Sequence, residues 1–245
     1  MRADAELLRA LDAAPGPVTF WWRDDDAGRD HPRLAALLDL ADARALPVAL
    51  AVVPAWLEGA CAERVQRSPS ATVLQHGVAH ADHAVRPAKK IELGGAADRG
   101  LLRRELETGR EQLVAAFAER FLPVLVPPWN RIAPDLVPTL TGLGFSGLSA
   151  FGRRGSARPA PGLRQVNTHL DLVAWWEGSR ALTLAESTER LAGLVRTCSD
   201  EPIGILSHHL VMDQAALAML DRLLALMQDH PRARFAAAAT LFGEA

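Results

Sequence analysis

Short apolar, β-branched runs alternate with helical patterns from one end of this chain to the other, and no other feature constrains its fold as much. Val18 to Trp22 reads as a buried strand, and Pro32 to Ala45 as a helix with Leu34, Leu37, Leu38 and Ala41 at helical spacing. Pro47 to Val53 is a second strand, Trp56 to Gln66 a helix, and Thr72 to Gln75 a third strand. After a polar stretch from Ala81 to Gly100, a long helix covers Leu101 to Phe121, with Leu102, Leu106, Leu113 and Phe117 on one side. Further strands are expected at Leu122 to Val126, Gly147 to Ala150, Val166 to Leu172, Ile203 to Ser207 and Arg234 to Ala238, and helices over Leu184 to Thr197 and Ala215 to Gln228. This order implies an α/β fold, a parallel sheet covered by helices that is either doubly wound or closed as a barrel. About seven or eight units in this length favour the barrel. With no fixed-period repeat and no Pro/Gly/Ser linker, residues 1–245 read as a single domain.

Composition excludes several function classes. A formal net charge of −2 with 5% aromatics argues against a nucleic-acid binder. Two cysteines, Cys61 and Cys198, exclude a disulfide scaffold and a four-thiolate zinc module. No apolar run approaches the roughly 20 residues of a membrane span. Met1 to Ala14 is patterned as an amphipathic helix, not as a secretion signal, so a cytoplasmic location is expected. The chain has eight His and no Tyr, which removes phenol chemistry and invites imidazole chemistry.

In either architecture the loops after the strands' C-terminal ends form the reaction site. The first strand runs into Arg23-Asp24-Asp25-Asp26, three consecutive carboxylates that repel one another unless a cation or proton sits among them. The bland alternative is an acidic loop capping the next helix. The third strand runs into His76 and His80, whose i, i+4 spacing puts both imidazoles on one side of a helical turn, within reach of one ion. Two His and one Asp leave open positions, as in a catalytic rather than a structural metal site. The fourth strand ends in Val126-Pro127-Pro128-Trp129, where the prolines leave Trp129 with the first free N–H. Later segments carry His169, Asp171, Trp175 and Trp176, and then Ser207-His208-His209.

These five segments, in this order, resemble the five motifs of the polysaccharide deacetylase superfamily, carbohydrate esterase family 4, over about Val18 to His209. The resemblance implies a distorted (β/α) barrel of about seven strands and metal-dependent hydrolysis of non-peptide C–N bonds. By that resemblance Asp24 is the general base, Asp25, His76 and His80 hold the metal, the Trp129 N–H faces the oxyanion, and His208 is the general acid, with Asp171 and Trp175 walling the pocket. Three departures leave alternatives open. A third acid, Asp26, allows the register Asp25-Asp26. Val126 stands where the family has an Arg that holds the catalytic Asp, so Arg23 or Arg131 is a candidate for that role. His209 competes with His208, and only alternate strand residues share a face.

The expected reaction is deacetylation of an N-acetylated sugar or a related small N-acyl metabolite, with a divalent ion, zinc foremost, as cofactor. No nucleic-acid or membrane partner is expected. The rival is a non-catalytic carbohydrate- or metabolite-binding barrel that kept the pocket, favoured by Val126 alone. The Ala81 to Gly100 stretch, with Arg86, Lys89 and Lys90, reads either as a lid over a small-substrate pocket or as a solvated loop.

Overall fold

The expected alternation folds into one curled parallel sheet in the computed structural model, which describes residues 2–198 and 200–243. The strands are β1 (Val18–Ala27), β2 (Val48–Val52), β3 (Ala71–His76), β4 (Phe121–Val126), β5 (Gly147–Leu148), β6 (Arg164–Gln165), β7 (Leu170–Asp171), β8 (Val173–Ala174), β9 (Arg180–Ala181), β10 (Ile203–Ser207) and β11 (Ala233–Phe235). The hydrogen-bonded path runs β6-β5-β4-β3-β2-β1-β10-β7, with β11 added to β1, and β8 and β9 form a separate antiparallel pair. The result is a half-barrel, the distorted form of the expected barrel. The single strand expected over Val166 to Leu172 is instead interrupted, because Thr168 bridges to Phe151 and His169 turns to pair with Gly204.

The α-helices among the described residues are α1 (Arg2–Ala13), α2 (Pro32–Ala43), α3 (Gly59–Arg67), α4 (Arg99–Phe117), α5 (Leu184–Thr197), α6 (Gln214–Gln228) and α7 (Ala238–Gly243). Their starts are chemically marked. Asp98 and Asp213 cap α4 and α6 by accepting the Leu101 and Ala216 N–H groups, and Thr183 with Glu186 forms a capping box at α5. Helix α2 buries the four residues its spacing singles out, Leu34, Leu37, Leu38 and Ala41.

Strand alternation divides the core. On one face of the sheet Phe20, Trp22, Leu50, Val52 and Val73 meet the helices; on the other Trp21, Ala49, Ala51, Leu74, Val124 and Val126 fill the concave interior. The expected last strand is shorter than its apolar run, since Ala238 onward forms α7. This helix plugs the bottom of the half-barrel, where Phe242 meets Trp21 edge-on at 6.0 Å. Gly204 on β10 admits that indole, for a Cβ there would lie 2.5 Å from Trp21 Nε1. The strands' C-terminal ends are left facing an open cleft.

Candidate functional site

The two faces of β1 separate its charged residues. Arg23 and Asp25 follow Trp21 into the interior, where Arg23 is fully buried. Its guanidinium donates to both Asp25 oxygens, Nε to Oδ1 at 2.8 Å and Nη2 to Oδ2 at 3.0 Å. The remaining N–H groups reach the Ser149 hydroxyl at 2.7 Å and Asn130 Oδ1 at 2.8 Å. Of the two candidate arginines, Arg23 is the one that binds a carboxylate of the cluster, while Arg131 donates to the Lys90 carbonyl.

Asp24 points the opposite way, which corrects the expectation that it faces the mouth. One carboxylate oxygen accepts the Ser207 hydroxyl at 2.6 Å and the His209 N–H at 3.1 Å, and the other is bonded to His209 Nδ1. Asp24 and His209 thus form a buried pair on the helix-facing side, together with Trp22, whose indole donates to Ser207. The physical reason is the period of two along the strand.

A third placement follows from a bulge. The β1–β2 register shifts between Asp24 and Ala27, and Asp26 takes a left-handed φ of 69°. The extra residue turns the Asp26 carboxylate back toward the interior, beside Asp25. Asp26 Oδ1 then lies 3.3 Å from His76 Nε2 and 3.3 Å from His80 Nε2. The group that gathers is Asp26, His76 and His80; Asp25, expected as the carboxylate ligand, is held by Arg23 instead.

The donor set fits a divalent ion. Asp26 Oδ1 is buried without a hydrogen-bond partner among the described residues. His76 donates Nδ1–H to the Val126 carbonyl at 3.0 Å, which turns its Nε2 toward Asp26, the usual outer-sphere arrangement of a ligating imidazole. Burial opposes the charge on Asp26, but the adjacent His76, then His208 and His80, hold its carboxyl far below the ordinary carboxylate range. His80 is pushed down, first by burial and then by His76. One oxygen and two nitrogens form a three-ligand set that can hold a divalent ion and leave positions open.

The turn carrying the His pair is not helical, contrary to the expected geometry. Gly77 and His80 both take left-handed conformations, with φ of 57° and 58°. Their turn is shaped by Glu92, a buried carboxylate that accepts the N–H groups of Val78 at 3.0 Å, Ala79 at 2.8 Å and Ala81 at 3.0 Å. A Cβ on residue 77 would lie 1.9 Å from Glu92 Oε2, so glycine is required there. Glu92 sits in the polar stretch after β3 and carries no local motif that would reveal it.

Trp129 and Asn130 also take positive φ, 54° and 57°. With Asp26 and His80 they make four of the seven non-glycine residues in this region of backbone space, and all four surround the same point. In the turn after β4, Asn130 donates to Pro127 and Arg131 to Pro128, while the Trp129 N–H makes neither bond. The Trp129 ring packs on His80 at 4.3 Å.

Across the cleft, His208 follows the inward positions of β10. Its Nδ1 lies 3.6 Å from Asp171 Oδ1. Asp171 is itself fixed by the Trp175 indole at 2.7 Å and the Val173 N–H at 2.9 Å, and Trp175 meets His208 edge-on at 4.8 Å. Burial works against the His208 charge, but Asp171, Asp25 and Asp26 outweigh it and raise its pKa to about 9. Asp25, Asp26, His76, His80, Trp129 and His208 all line one cleft of about 1380 Å³. A second cluster, His169, Cys198 and Glu201, is also buried. There the Gly204 N–H donates to His169 Nδ1, so Nε2 carries the proton and faces Glu201 at 3.5 Å, beside Arg154. That arrangement is a buried ion cluster rather than a ligand set.

No protein-family model matches this sequence, and no curated protein matches it either. Solved structures match its fold. A Mycobacterium smegmatis protein described as a polysaccharide deacetylase is 16% identical with a TM-score of 0.69, covering 93% of this chain and 90% of its own. A family 4 acetyl xylan esterase from Clostridium thermocellum, in complex with a cobalt ion, is 16% identical with a TM-score of 0.56, covering 92% and 90%. A pseudoenzyme of the same carbohydrate esterase family from Bacillus anthracis is 11% identical with a TM-score of 0.59, covering 93% and 66%. The chain has the fold that these proteins share.

Proposed function

We propose that this protein is a metal-dependent hydrolase of a non-peptide amide bond, acting on an N-acetylated sugar or a small N-acyl metabolite. The observation that carries this reading is the convergence of Asp26, His76 and His80 on one point of the cleft floor, with a buried Asp26 oxygen that makes no hydrogen bond among the described residues. Asp26, His76 and His80 would hold a divalent ion, zinc foremost, which would supply Lewis acidity at the amide carbonyl and to the attacking water.

The chain's own groups divide the remaining work. Asp25, held in place by Arg23, takes the proton of the attacking water. The free N–H of Trp129 donates to the developing oxyanion, worth about 3 kcal/mol for a donor of this kind. His208, charged at neutral pH by Asp171 beside it, gives its proton to the departing nitrogen, a contribution of about 10²- to 10⁴-fold. This reading uses the register Asp25-Asp26 and His208 rather than His209.

The second reading, a non-catalytic binding barrel, draws support from the pseudoenzyme among proteins of this fold. The two-point Arg23–Asp25 bond favours the hydrolase, because a binding module has no need of an oriented base beside a three-ligand set. Acetate release from N-acetylated substrates by the zinc-loaded protein tests the proposal. His80→Ala is expected to lose metal and turnover together, and His208→Ala to keep metal and lose turnover. Full activity in both variants overturns it.

A further inference from the structure

We infer that the cleft selects substrates bearing an anionic group, a phosphate or carboxylate, beside the amide that is cleaved; the inference rests on the hydrolase reading above and names the substrate class of that same site. It starts from the segment after β3 that the hydrolytic chemistry does not use. Arg86, Lys89 and Lys90 lie exposed on this loop and line the cleft, as does Arg131 from the turn after β4. Among the described residues none of the four forms an ion pair with a carboxylate. A chain of net charge −2 thus gathers, among its described residues, four cations outside any close ion pair on one rim of one cleft.

The loop is built to hold that position. Its inner end is tied down by Glu92 through three backbone N–H groups, by His83 Nδ1 bonded to the Glu92 carbonyl at 2.8 Å, and by the His83 N–H on Ile91 at 2.8 Å. Leu93 is fully buried and accepts the Ala133 N–H, which fastens the segment to the far side of the β4 turn. Arg131 then reaches back to the Lys90 carbonyl at 2.9 Å. An acid of the loop, Asp82, accepts the N–H groups of Ala84 and Ile91, and Arg86 and Lys90 act on it from beyond ion-pair distance.

Charge is sorted by depth. The carboxylates that line the cleft are already engaged: Asp25 by Arg23, Asp26 with the His pair, Asp171 by Trp175, and Glu177 by Arg180. Lys90 Nζ stands 5.6 Å from the centre of the Trp129 ring, whose neighbour on the site side is His80 at 4.3 Å. A single indole therefore separates the candidate metal ligands from the cationic rim. A small substrate with its acyl group at Asp26, His76 and His80 has its anion over this rim, where several cations act together on it.

Binding to zinc-loaded protein carrying His208→Ala, which blocks turnover, distinguishes the cases. The probes are N-acetylglucosamine, N-acetylglucosamine 6-phosphate and N-acetylmuramic acid, followed calorimetrically at low and high salt. At least one anionic probe is expected to bind about ten-fold more tightly than the neutral sugar, and the two anionic arms separate phosphate from carboxylate. The preference should shrink as salt rises. It should vanish in Arg86→Gln/Lys89→Gln/Lys90→Gln, whose zinc content is unchanged. Equal affinity for all three probes, absence of binding by both anions, or a preference that survives the triple variant overturns the inference. Anion-selective binding without acetate release by the His208 protein removes the hydrolase reading and leaves the anion site standing, whereas release from neutral sugars without preference does the reverse.

Discussion

Arg23 and Asp25 sit two residues apart on the inner face of β1 and meet through two hydrogen bonds, at 2.8 and 3.0 Å, with neither side chain more than 2% exposed. A buried carboxylate of this kind depends on its partner. Arg23→Gln should destabilise the protein by about 3–5 kcal/mol, because it leaves the Asp25 charge buried and unpaired. Arg23→Lys keeps a charge but cannot bridge Asp25, Ser149 and Asn130 together, so it should retain more stability yet still lose turnover. Urea denaturation and acetate release measure the two effects, and wild-type turnover in the Lys variant would contradict the positioning role.

The bulge at Asp26 separates two neighbouring carboxylates by function. Asp26→Asn should weaken divalent-metal affinity at least about ten-fold, while Asp24→Asn should leave it intact and cost about 1–3 kcal/mol of stability through the Ser207 and His209 bonds. Cobalt titration followed by absorbance reads the first, and thermal unfolding the second. The reverse assignment, with Asp24→Asn losing metal, would restore the register Asp24-Asp25.

Glu92 touches neither imidazole, yet it shapes the turn between them. Glu92→Ala leaves three partly buried backbone N–H groups without their acceptor, so His80 should lose its orientation and metal affinity should fall about ten-fold. Gly77→Ala should do the same from the other side, since its methyl group would collide with Glu92 Oε2. Metal affinities that match the wild type in both variants would show that the turn holds itself.

For His208 the sign of the pH dependence follows from its raised pKa. A group raised from an ordinary value of about 6.5 stabilises the fold fully below that pH, and the contribution is lost as pH rises through about 9. Being the proposed acid, it must carry its proton, so kcat/KM should be flat near neutrality and fall above about pH 9. Asp171→Asn removes the leading cause of the rise and should move this basic limb to lower pH. A limb that does not move in that variant would assign the acid to another group.

Much of this architecture was legible in the residues themselves. The continuous apolar run Val18 to Trp22 buries both faces of its strand and the period-3.6 run Leu34 to Ala41 one face of its helix, and burial is what each pattern encodes. The strand ends at Asp24 to Asp26, His76, Trp129 and His208 were therefore locatable as one mouth. β6 was not, nor was the break that leaves β7 only two residues: both are set by pairing with β5 and β10 rather than by local pattern. The helical turn expected from the His76–His80 spacing was replaced because Glu92 takes the N–H groups that a helix would have used.

What the sequence determined by itself is the order of the elements and the set of side chains delivered to the strands' C-terminal ends, because both depend on local periodicity. Which carboxylate faces the His pair, which guanidinium holds Asp25 and which of His208 and His209 faces the cleft were decided only in the tertiary structure. The physical reason is that these choices turn on a one-residue register shift between β1 and β2, on an Arg23 buried among β5 and the β4 turn, and on a pairing of Asp24 with His209 across β10. Each is a contact between segments far apart in the chain, and none leaves a trace in local spacing.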